Sequence, residues 1–170
     1  MTLHSESPLD ATDWQILREL QKDARLSYRE LGKRVSLSPP ATAERVRKLE
    51  DRGIIKGYTV QVDLEKVGLP LIAFLLLRCD PVKCLTKTTT ADAFPEIREI
   101  YTLSGTYCSL IKVAVASMAH LESFTARLSK HGDAERHVVI VPVITNRPID
   151  WEDQDIDIDA PSIPGWNLET

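Results

Sequence analysis

The chain has 170 residues with 43% apolar and 27% charged content, the composition of a soluble globular protein of one ordinary domain or two small ones. It has no run of about 18 apolar residues, so no transmembrane helix and no membrane partner are expected. MTLHSESPLD lacks a basic stretch followed by an apolar core, so no secretory signal is expected and the cytoplasm is the expected compartment.

The net charge of −4 is unevenly shared: residues 9–62 carry 11 Lys/Arg against 8 Asp/Glu, and residues 146–170 carry 1 against 7. An overall acidic chain is a poor nonspecific coat for nucleic acid. A small positive module on a neutral body suits local groove recognition.

Leu9 to Asp23 reads as a first helix, capped by Asp10, with Leu9 stapled to Trp14 and Ile16, Leu17 and Leu20 facing inward. A second helix starts at Ser27, which forms a capping box with Glu30, and Leu26 and Leu31 supply the hydrophobic staple. Val35-Ser36-Leu37 interrupts it. Ser38 caps a third helix, with Pro39 at the first helical position, where a missing N–H costs nothing. Val46 and Leu49 make its inward stripe, and Glu44, Arg45, Lys48 and Arg52 fall on its other faces. Gly53 ends it at a position needing positive φ. Helix, tight turn and basic second helix are the parts of a helix-turn-helix, whose second helix enters the major groove of DNA. After Gly57 the chain alternates apolar and polar to Val62, which predicts a strand or short wing. At about 54 residues the module is marginal alone.

Residues 63–70, of mixed charge with a Gly and a Pro, read as a hinge. The near-continuous apolar run from Leu71 to Arg78 predicts a buried central strand. Pro81 to Phe94 reads as a weak helix, Ile97 to Ser104 as a second strand and Tyr107 to Ala116 as a third. Ser117 caps a helix with Leu121, Phe124 and Leu128 inward and Gly132 at its end. His137 to Thr145 predicts a fourth strand, with Pro142 arguing for an edge or a bulge. The order βαββαβ is the ferredoxin-like unit. Its sheet carries helices on one face, and a second copy is the simplest cover for the other. The fold class is therefore α+β: a winged helix-turn-helix domain over 9–62, the hinge, a βαββαβ effector-binding and oligomerisation domain over 71–145, and an acidic arm over 146–170 expected to drape on a neighbouring subunit. Cys79, Cys84 and Cys108 are odd in number and lack a C-x-x-C spacing, so reduced thiols are expected, with no metal, no cofactor and no catalytic residue.

The residues Leu9 to Asp63, with LQKDAR, LS-P-P, RV-R-LE and G-IIKGY in this order and spacing, resemble the N-terminal half of the Lrp/AsnC (leucine-responsive, feast/famine) transcription regulators. The second half resembles their regulatory domain through Phe94-Pro95-Glu96-Ile97 and Gly105-x-Tyr107. The resemblance covers Leu9 to Thr145. It implies a non-enzymatic, sequence-specific regulator that binds double-stranded DNA, dimerises through the βαββαβ sheets, assembles to octamers, and takes a small effector, commonly an amino acid. Two departures stand out. Where the family carries G-D-Y-D this chain has Gly105-Thr106-Tyr107-Cys108, so both carboxylates that would pair with an ammonium group are missing. Where the family turns on Gly, this chain has Ser36, which tolerates positive φ poorly, so another turn geometry is expected.

The expected DNA contacts lie at the start of the third helix: Ser38, Pro39, Pro40, Ala41, Thr42, Glu44, Arg45 and Lys48. Arg45 and Lys48 are candidates for guanine edges; Thr42 is also placed to face the core. Arg25, Tyr28, Arg47 and Lys56 are expected near phosphates, and Ser27 is a further candidate for DNA contact. The expected effector contacts are Ser104, Gly105, Thr106, Tyr107, Cys108, Ser109 and His137, the last standing where the family tends to carry Thr. Two alternatives remain. One is an architectural DNA binder without effector. The other is a sirohaem-decarboxylase-like enzyme, suggested by His131, Arg136 and His137.

Overall fold

The computed structural model describes residues 9–79, 85 and 93–150. Their contacts form two compact units, 9–59 with 144–150, and 60–143.

In the first unit, α1 (Ala11–Lys22), α2 (Tyr28–Arg34) and α3 (Pro39–Asp51) each begin where local chemistry supplies a partner for the orphan N–H groups. Asp10 and Asp13 form a capping box on α1. Ser27 and Glu30 form one on α2, with Ser27 Oγ accepting from Glu30 N at 3.2 Å and Glu30 Oε2 accepting from Ser27 N at 3.0 Å. Ser38 caps α3 with a proline at its start. Ile16, Leu31, Val35, Val46 and Leu49 are buried together, and Leu9, Leu17, Leu20, Leu26, Leu37, Ile54 and Ile55 pack around them. The close approach of α2 to the turn and to α3 depends on Gly32, where a Cβ would stand 2.6 Å from the Leu37 carbonyl oxygen and 2.8 Å from Thr42 Oγ1. Ser36 keeps the left-handed conformation at φ 57°, so the other turn geometry expected from the missing glycine is not adopted. The Leu37 N–H to Gly32 O bond of 2.9 Å holds the turn in this form.

The second unit holds an antiparallel sheet of β1 (Leu71–Cys79), β2 (Ile97–Thr102), β3 (Ser109–Val115) and β4 (Gly132–Val138), in the order β2-β3-β1-β4. Helix α4 (Met118–Leu128) covers one face. Ala73, Leu75, Leu77, Ile111, Val113 and Val115 of the sheet are buried with Leu121, Phe124 and Leu128 of α4. Leu85 and Phe94 join this core; the rest of the helix expected between β1 and β2 lies outside the described residues. On the opposite face Ile72, Phe74 and Leu76 of β1 sit beside Leu110 and Lys112 of β3 and Glu135 and His137 of β4.

Three expectations are corrected. Residues 54–62 form no strand, and Tyr58, Val60 and Val62 are 52%, 83% and 57% exposed. A period-two pattern becomes a strand only with a ladder partner, and no described strand pairs with it. The fourth strand is GDAERHV, not HVVIVPVIT. Gly132 starts it because a Cβ there would stand 2.2 Å from the Arg78 carbonyl oxygen; beyond it the Val139 N–H to Ile72 O bond extends the pairing among the described residues. Ile140, Val141, Val143 and Ile144 are left exposed. Finally, Cys79 and Cys108 are joined in a disulfide with Cα atoms 6.0 Å apart, not reduced. Cys84 lies outside the described residues.

Candidate nucleic-acid interface and effector hairpin

Helix α3 has a buried side and a wet side. Val46 and Leu49 are each 1% exposed. Thr42 is fully buried, and its hydroxyl donates to Ser38 O at 2.9 Å. Of the two placements open to Thr42, the core one holds, because Gly32 brings α2 against it. Ser38, Pro39, Pro40, Glu44, Arg47 and Lys48 are exposed and Ala41 is half-buried. Lys48 pairs with Glu44 one turn away at 2.8 Å, which also lowers the Glu44 carboxyl below its ordinary pKa. Exposed pairs of this kind are weak, so Lys48 can exchange the carboxylate for a phosphate or base edge at little cost.

Arg45 sits differently. Its Nη1 is 2.6 Å from Asp10 Oδ2 and 2.8 Å from Asp13 Oδ1, and these two hydrogen bonds raise its pKa. The Asp10 carboxyl is lowered, first by the Asp13 N–H and then by Arg45. Two carboxylates on α1 hold this guanidinium, which makes Arg45 a clamp between α1 and α3 in the DNA-free chain. Asp13, Ala41, Glu44, Arg45, Lys48 and Arg52 line a cleft of about 390 Å³ at this junction. Arg25, Ser27, Tyr28 and Lys56 are all exposed. The Ser27 hydroxyl is committed to Glu30, donating to its Oε2 at 2.6 Å.

In the second unit, Leu103 N donates to Cys108 O at 2.9 Å and Cys108 N to Leu77 O at 2.8 Å. This closes the hairpin that carries Ser104, Gly105 and Thr106, all three exposed. Tyr107 donates from its hydroxyl to Glu135 Oε2 at 2.5 Å, which raises its pKa, and Arg78 stacks 5.5 Å from its ring centroid. His137 Nε2 lies 3.2 Å from Glu135 Oε1. Two expected effector residues, Tyr107 and His137, thus meet on Glu135, which the sequence reading placed outside the strand. Ser109 does not join them: it is fully buried on the helix-covered side of β3. Cys108 is committed to Cys79. The three residues that suggested an enzyme do not converge. The alternation of β4 puts Arg136 and His137 on opposite faces, and His131 packs edge-on against Phe94.

Comparison with known proteins follows the same division. Residues 9–56 match the family model described as winged helix-turn-helix DNA-binding, and residues 72–148 the one described as Lrp/AsnC ligand binding domain. The HTH-type transcriptional regulator LrpC of Bacillus subtilis is 36% identical over 148 residues, 81% of this chain and 95% of the relative. Its solved structure superposes with a TM-score of 0.76, covering 99% of that chain. The leucine-responsive regulatory protein of Haemophilus influenzae is 35% identical over 142 residues, 79% of this chain and 86% of the relative. A transcriptional regulator of Neisseria meningitidis, solved as its L-Met complex, is 28% identical with a TM-score of 0.77, covering 86% of this chain and 99% of that one.

Proposed function

The chain belongs to the Lrp/AsnC family of transcriptional regulators, and on that premise we propose that it reads duplex DNA with the wet side of α3. The observation that carries this is the split of α3 into a packed side (Thr42, Val46, Leu49) and an exposed side that offers Ser38, Pro40, Arg47 and Lys48. Arg47 and Lys48 make the cationic contacts, and Arg25, Tyr28 and Lys56 touch phosphates. The protein works in the cytoplasm as a dimer built on the uncovered sheet face, where Phe74 lies between Lys112 and His137 and Leu76 between Leu110 and Glu135. It binds rather than catalyses. A pair of half-sites about 34–36 Å apart, or a multiple, is then expected.

Footprinting on genomic duplexes tests this. Arg47→Ala/Lys48→Ala should weaken the footprint strongly and flatten the slope of log K against log salt by roughly 0.9 per lost phosphate contact. An unchanged footprint with folded protein would remove α3 from the interface.

A second reading concerns the ligand. Glu135 supplies, from β4, the carboxylate missing from the hairpin, and Arg78 supplies a guanidinium over the Tyr107 ring. A small zwitterion fits this charge pair. An amino-acid panel that raises the melting temperature of the native chain, and does not raise that of Glu135→Gln, supports it; equal shifts in both refute it.

A further inference from the structure

The polypeptide leaves the second unit after residue 143 and returns to the first. Asn146 turns the chain at φ 51°, a conformation that Asn tolerates better than most residues. Arg147 precedes Pro148 and is restricted to extended geometry. The next two residues then meet one face of α1. Ile149 N donates to Gln21 Oε1 and Gln21 Nε2 donates to Ile149 O, each at 2.8 Å. Arg18 Nε lies 2.6 Å from Asp150 Oδ2. Arg18 and Gln21 are three apart and share a helix face. Gln21 offers the one donor and one acceptor that complete a backbone residue, and the ion pair beside it sets which residue that is. Ile149 also forms one wall of an apolar groove of about 420 Å³ whose other walls include Leu9, Trp14, Leu17, Ile54 and Ile55.

We propose that the Arg18–Gln21 face of α1 is the seat of a strap formed by residues 146–150 of the same chain, which walls one side of this groove and completes the helix-turn-helix unit. The strap holds α1, and α1 carries Asp10 and Asp13, the carboxylates that clamp Arg45 of α3. The C-terminal segment therefore fixes the orientation of α3 through two ion-paired steps. That last consequence rests on α3 being the reading helix; the docking itself does not.

Hydrogen exchange on the full chain without DNA tests the docking. In the native chain the Ile149 amide should be protected. Gln21→Ala should speed its exchange and that of α1 by roughly tenfold, the scale expected for two lost hydrogen bonds. Arg18→Asp should do the same in part, and Arg18→Asp/Asp150→Arg should restore protection. An Ile149 amide that exchanges at the unprotected rate in the native chain, or one indifferent to Gln21→Ala, overturns the strap. Gln21→Cys/Ile149→Cys, run on a non-reducing gel beside the single variants, decides the occupant. A band at monomer mass with the new cross-link supports the same chain; a new covalent dimer overturns it.

Discussion

At the scale of single residues, two positions in the helix-turn-helix pull in opposite directions. Ser36 sits at φ 57°, which costs an L-residue with a side chain about 1 kcal/mol relative to Gly. Ser36→Gly relieves that strain but loosens the unfolded chain, so a net gain of about 0.5 kcal/mol is expected, read as a rise of about 2–4 °C in the melting temperature of this unit. Gly32→Ala goes the other way. A methyl group 2.6 Å from the Leu37 carbonyl oxygen must push α2 off the turn, at about 2 kcal/mol, and a melt that does not fall would contradict the close approach. Neither the tolerance of Ser36 nor the crowding at Gly32 is visible in sequence, because both depend on which backbone atoms face them. The buried side of Thr42 was only half visible: the i,i+4 step to Val46 pointed inward, while its place in the first turn of α3 pointed to DNA.

Among elements, the three helices were legible because capping is local. Ser27 with Glu30, Asp10 before Ala11, and Ser38 before Pro39 each act within a few residues, and the structure has all three in place. The clamp on α3 was not legible, because Arg45 reaches carboxylates 32 and 35 residues away. Its pH response follows from the lowered Asp10 pKa. A carboxyl depressed in the folded state stabilises above its unfolded value and loses that contribution as pH falls through the folded value. The melting temperature of the first unit should therefore drop below about pH 4, and Asp10→Asn should lower it at neutral pH while making the acid drop shallower. Identical acid limbs would show that Asp10 contributes nothing. The misplacement of β4 has a different cause. HVVIVPVIT has the apolar content of a strand, but the edge beside β1 needs a glycine where Arg78 comes close and only one inward face, which GDAERHV supplies through Gly132 and Ala134. The segment after Gly57 alternates as a wing does, yet alternation specifies a face and not a partner.

For the whole molecule, the sequence announced two units but not the bond that staples one of them. Cysteine spacing carries no pairing information, and Cys79 and Cys108 meet only because β1 and β3 are neighbours. The disulfide closes a loop across 29 residues, worth about 3.6 kcal/mol on chain-entropy grounds. Reduction should lower the melt of the second unit and leave that of the helix-turn-helix unchanged; a drop in both would mean that they unfold together.

The sheet face opposite α4 has a further consequence. Ile72, Phe74 and Leu76 are only half-buried within one chain, and the apolar residues from Ile140 to Ile144 stand in water. Water is a poor resting place for both, and a twin chain is the nearest remedy. On the proposed dimer, occupancy of DNA varies with roughly the square of the copy number when copies are scarce, as mass action requires. The rate at which that polypeptide is made and destroyed would then set DNA occupancy by itself, with no ligand bound.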